Sequence, residues 1–107
     1  MPFYLYQIAY APAATKAMVS KPQDREKVAR SSIESLGGKL HSFYFAFGAY
    51  DAVIIAEMPD NLAAGALSLA VGSSGAFSRF HTTPLLTSAE SVEVMKKAKK
   101  VAYTPPK

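Results

Sequence analysis

The chain contains no cysteine. That single absence removes a disulfide framework, a thiolate metal site and a cysteine-based redox switch. No apolar run approaches the roughly 20 residues needed to span a bilayer, although half of the 107 residues are hydrophobic. Met1-Pro2-Phe3-Tyr4 also lacks the basic region of a signal peptide, so the expectation is a soluble cytoplasmic protein with no membrane partner. No glycine-rich phosphate loop, nucleophile elbow or Ser/His/Asp spacing is visible. The two histidines, His41 and His81, are far apart in sequence and supply no convergent ligand set, so no metal or cofactor is implied. What remains is one domain with a single core, held together by packing or self-association.

The net charge of +4 is unevenly placed. Residues 1–88 carry seven basic and six acidic groups. Residues 89–107 hold Lys96, Lys97, Lys99, Lys100 and Lys107 against Glu90 and Glu93, a balance of +3. A lysine cluster at a helix C-terminus complements the helix dipole and aids solubility. A nucleic-acid surface would also want basic residues interleaved on the folded body. The expected division is therefore a domain over residues 1–88 and a basic helix and tail over residues 89–107, with nucleic acid not the expected partner.

Residues 3–10, rich in aromatics, read as a strand ended by Ala11-Pro12. Residues 13–20 read as a connector with at most one helical turn. Ser20 and Pro22 look like a helix start, with Asp24 and Glu26 in the first turn; Ala29, Ile33 and Leu36 then form an apolar stripe, and Gly37-Gly38 stops the helix. A second helix is expected from Asp60 or Asn61 to about Val71, with Leu62, Ala66, Leu69 and Ala70 on one face. Residues 76–83 read as a strand closed by Pro84. Thr87 with Glu90 forms a capping-box pattern opening a C-terminal helix to about Lys100.

Between the helices lie two strongly apolar runs, residues 40–47 and 52–58, joined through Gly48-Ala49-Tyr50-Asp51. Two β-rich runs with a glycine in a short link read as a hairpin whose turn needs φ > 0 at Gly48. The order is β-α-β-β-α-β plus a C-terminal helix, the ferredoxin-like α+β plan with a four-stranded antiparallel sheet. The first strand is apolar on both parities, with Phe3 and Leu5 on one and Tyr4, Tyr6, Ile8 and Tyr10 on the other. One helix layer covers one face only, so the other face points to a second copy of the chain.

The aromatic first strand, Leu36-Gly37-Gly38, Gly48-Ala49-Tyr50-Asp51, Glu57-Met58-Pro59-Asp60 and the Ala-rich helix ending at Gly72 occur in an order that resembles the GYD-domain family. The resemblance covers about residues 2–88. It implies a ferredoxin-like domain of the dimeric α+β barrel group. Related barrels include muconolactone isomerase-like enzymes, cofactor-free monooxygenases and ligand-sensing domains of regulators, so the fold does not select a function.

Six residues could line a pocket or carry chemistry: His41, Tyr44, Asp51, Glu57, Arg79 and His81. Asp51 is read as a structural cap accepting N–H bonds from the turn around Gly48, with Tyr50 packed over that turn. His41 and Glu57 depend on hairpin register. A three-residue loop sets them opposite each other as a possible acid–base pair; a two-residue loop sets His41 opposite Ala56. Arg79 and His81 share a parity and read as edge-strand charges that block aggregation, or as an anion site. The expected function is a homo-oligomeric domain that binds a small, partly apolar molecule or serves a structural role. The alternative is a cofactor-free isomerase or monooxygenase-like enzyme acting on a small cyclic or aromatic substrate.

Overall fold

Alternation along the first strand sets the architecture. Tyr4, Tyr6, Ile8 and Tyr10 are buried, whereas Phe3, Leu5 and Gln7 are half-buried, as expected for a strand with one face in a core and the other open in the single chain. The computed structural model describes residues Met1–Lys107. In chain order the elements are β1 (Phe3–Tyr10), α1 (Pro12–Ser20), α2 (Arg25–Ser35), β2 (Lys39–Phe45), β3 (Ala52–Glu57), α3 (Asn61–Gly72), β4 (Phe77–Leu85) and α4 (Ser88–Lys99). The sheet runs β2-β3-β1-β4 with every neighbour antiparallel. The expected ferredoxin-like fold is present, with α1 and α4 added to its two main helices.

Local chemistry explains most of the boundaries. Asp24 caps α2 by accepting from Glu26 N, and Asp60 caps α3 by accepting from Ala63 N. Gly37 sits at φ +80°, the left-handed conformation that ends α2. Thr87 and Glu90 bond reciprocally at the start of α4; those bonds to Thr87 hold the Glu90 carboxyl below its ordinary range.

Four expectations at this level are corrected. Residues 12–20 form a full helix rather than a connector, with Pro12 in its first turn, where a missing N–H costs nothing. α2 begins at Arg25 rather than near Pro22 because the short Asp24 side chain supplies the cap. β4 continues through Pro84 to Leu85; it is an edge strand, where proline can leave a hydrogen bond unmade. In α3 the buried residues are Ala64 and Leu67, while Leu62 and Leu69 are 83% and 76% exposed. That helix is apolar around most of its circumference, so periodicity alone does not choose its inward face.

α4 buries none of its residues. The radius of gyration is 17.0 Å, against about 13 Å for a compact domain of this length. The helix leaves Val92, Val94 and Met95 at least 46% exposed.

Candidate functional site

The hairpin turn works differently from its sequence reading. Positive φ occurs at Gly37 and Gly75 but not at Gly48, and a Cβ placed on Gly48 meets nothing within 4 Å. Asp51 is not a turn cap. Its carboxylate accepts from Tyr10 N at 2.9 Å, and its own N–H donates to Ile8 O at 2.8 Å, so it fastens the end of β3 to β1. Tyr50 leaves the turn and reaches the far edge strand. Its hydroxyl lies 3.2 Å from His81 Nδ1 and the Arg79 guanidinium sits 4.9 Å from its ring centre. Arg79 also donates to the Ala49 carbonyl. Tyr50, Arg79 and His81 thus form one cluster clamping the turn to β4.

His41 and Glu57 meet through a register neither loop length predicts. Phe45 is opposite Ala52, Tyr44 opposite Val53 and Ser42 opposite Ile55, which is the two-residue numbering. A bulge at His41 then shifts the pairing so that Leu40 faces Ala56 and Lys39 faces Glu57. The extra residue swings toward the carboxylate, with His41 Nε2 2.5 Å from Glu57 Oε1 and the Phe3 ring centre 5.1 Å from the imidazole. The bulge has a packing cause. Leu40 and Phe43 both belong to the helix-side core, yet they have opposite parity in an unbroken strand.

All of these groups share the sheet face away from the helices, in two separate clusters. Tyr44 belongs to neither; it is 71% exposed and lies opposite Val53. Asp51 holds a backbone junction.

On the helix side lies a feature absent from the sequence reading. A cavity of about 370 Å³ opens between α2 and α3 above the sheet. Its lining is apolar at 14 of 17 residues, and Tyr6, Tyr10, Phe43, Phe77 and Phe80 contribute aromatic walls. Small side chains on the facing helix flanks, Ala29 and Ser32 on α2 and Ala70 on α3, leave the space. The lining includes none of the six candidates His41, Tyr44, Asp51, Glu57, Arg79 and His81.

Tyr6 is the polar anomaly of this cavity. The residue is 1% exposed and its hydroxyl finds no hydrogen-bond partner in the protein. Burial, with the neighbouring Tyr4 as a lesser cause, pushes the phenol up to about 12, so it remains a hydrogen-bond donor throughout the physiological range. An unpaired buried hydroxyl costs about 1–3 kcal/mol. The available sequence signal was the run of same-parity tyrosines in β1, which reads equally well as ordinary core.

The ionisation of Tyr6 has a measurable consequence. The unfolded chain releases this proton near pH 10, the folded chain only near 12. Stability should therefore be unaffected by this group below pH 10 and fall as pH rises from 10 to about 12. Urea midpoints across that window check it, with Tyr6→Phe expected to show a shallower decline.

No curated protein and no solved structure matches the chain. The family profile for the GYD domain matches residues 4–95, from the central strand through the hairpin and into α4, and on that match the chain belongs to the GYD-domain family.

Proposed function

We propose that the protein is a homo-oligomeric domain that binds a small, largely apolar molecule in the cavity between α2 and α3. The observation carrying this reading is the aromatic-walled apolar space of about 370 Å³ left between the two helices and the sheet. That volume is in the range of small-molecule pockets, which combine apolar walls with a few placed polar groups. The neutral probe N-phenyl-1-naphthylamine tests this: saturable one-to-one binding is expected, and Ala29→Phe, which fills the space, should abolish it while leaving the far-ultraviolet circular dichroism intact. Absence of saturable binding, or binding that survives Ala29→Phe, would remove the reading.

Self-association is supported by the opposite face. Phe3, Leu5, Val53 and Ile55 form its apolar centre and are only half-buried in the protomer. Four strands present about 19 Å by 20 Å, or roughly 400 Å², half of the roughly 800 Å² a stable partner surface buries. The uncovered apolar residues of α4 offer further area for a second copy. Ile55→Glu should convert the assembly to monomer in sedimentation experiments with little change in secondary structure. Deleting residues 88–107 should weaken association without lowering monomer stability by more than about 0.5 kcal/mol, because α4 buries nothing in the protomer. A wild-type protein that sediments as a monomer at micromolar concentration would rule out this half of the proposal.

The 2.5 Å His41–Glu57 contact beside Phe3 favours a second reading, a cofactor-free isomerase or monooxygenase-like enzyme with its acid–base pair on the sheet face. A second copy would enclose that pair and exclude water from it. No helix is long and apolar enough to cross a membrane, and we read the protein as cytoplasmic.

A further inference from the structure

The cavity has one charged residue in its lining, Arg25. It occupies the first position of α2, where the positive end of the helix dipole disfavours a cation. No carboxylate pairs with it. The ion pairs of the chain are Arg30–Glu26, His41–Glu57 and Lys96–Glu93, and Arg25 itself donates only to the neutral Gln23 side chain, at 2.9 Å. Folding therefore leaves an arginine unneutralised beside an apolar space.

The second unpaired group, the Tyr6 hydroxyl, is packed within the wall and has no accessible surface. The tyrosines at positions 6 and 10 of β1 both line the cavity, so it runs along at least four strand residues, roughly 13 Å. Its walls are built from edge-to-face and stacked rings: Phe77 and Phe80 at 5.5 Å, Tyr6 and Phe80 at 5.9 Å, Tyr10 and Phe77 at 5.2 Å. Such walls favour a flat ring that can continue the same arrangement. A cation at the α2 end and aromatic walls beside it specify complementary chemistry.

We propose that the cavity takes a flat aromatic monocarboxylate, with its carboxylate on Arg25 and its ring against the aromatic walls. This rests on the cavity reading above and adds the ligand class to it. Arginine suits the task because its planar fork can donate two parallel hydrogen bonds to a carboxylate.

The test compares two probes of nearly equal shape, 6-methoxy-2-naphthoate and the neutral ketone 6-methoxy-2-acetonaphthone, by calorimetric titration of the full chain. The naphthoate is expected to bind at least tenfold more tightly. Arg25→Gln should bring the two probes to within twofold of each other by weakening only the naphthoate, and Arg25→Lys should restore part of the preference. Equal binding of both probes to the wild type would overturn the carboxylate assignment and leave the cavity reading standing. A preference that survives Arg25→Gln would also overturn it, by showing that another group reads the charge. Failure of both probes to bind, with N-phenyl-1-naphthylamine also failing, would overturn the cavity reading and this inference together.

Discussion

Gly38→Ala should destabilise the protein by about 3 kcal/mol, lowering the melting temperature by roughly 15 °C. A Cβ at this position would lie 2.5 Å from Met58 Sδ, 2.7 Å from the Glu57 carbonyl oxygen and 2.9 Å from Ile33 Cγ2. Met58 is fully buried and Ile33 is 1% exposed, so neither side chain can swing into solvent, and the carbonyl belongs to a paired strand. The end of α2 must therefore move away from β3, carrying Ile33 out of the core. Gly37→Ala is a milder lesion at the neighbouring position. It forces an L-residue to φ +80°, for about 1 kcal/mol. Gly48→Ala is the control: with no positive φ and open space around it, it should stay within about 0.5 kcal/mol of wild type. Urea midpoints for the three variants give the ranking. Equal midpoints for Gly38→Ala and Gly48→Ala would mean that the close approach of α2 to β3 does not hold in solution.

These glycines also show which parts of the chain could be read without a structure. Capping is local, so Asp60, Thr87 with Glu90, and Gly37 were legible from a few neighbouring residues. The strand order followed from the sequence of element types. Hairpin register was harder because it records a compromise across the sheet. Leu40 and Phe43 are three apart, and placing both against the helices requires one residue to be pushed out, which is His41. The same arithmetic governs β4, where Phe77 is opposite Tyr10 and Phe80 opposite Ile8. There the extra residue is Ser78, whose hydroxyl reaches the Ala9 and Tyr10 carbonyls. An odd spacing of core residues inside a strand is a usable signal for a bulge, and both bulges could have been inferred from it.

The clusters and the cavity were legible to different degrees. The meeting of His41 with Glu57 was expected only from a three-residue loop, whereas the chain takes the two-residue numbering and reaches the contact through the bulge. The clamp of Tyr50 on Arg79 and His81 was not legible either, because it joins the hairpin to a strand two positions away in the sheet. Small residues at Ala29, Ser32 and Ala70 signal close approach or empty space equally well, and only the disposition of α2 against α3 distinguishes the two.

Tyr6→Phe should stabilise the protein without weakening binding in the cavity. The buried hydroxyl makes no hydrogen bond in the protein, so deleting it removes an unpaid desolvation cost of about 1–3 kcal/mol while conserving the ring that packs against Phe80. The melting temperature of the free protein should rise, by roughly 5 °C or more for a domain of this size. Affinity for 6-methoxy-2-acetonaphthone should stay within about twofold of wild type, because the hydroxyl has no accessible surface through which to meet the probe. A hydroxyl partnered in solution gives a different result: if it holds an ordered water bridging to the backbone, Tyr6→Phe strands that water and lowers the melting temperature. A lowered melting temperature would therefore show that the phenol is satisfied in the folded protein and that its burial carries no unmet cost.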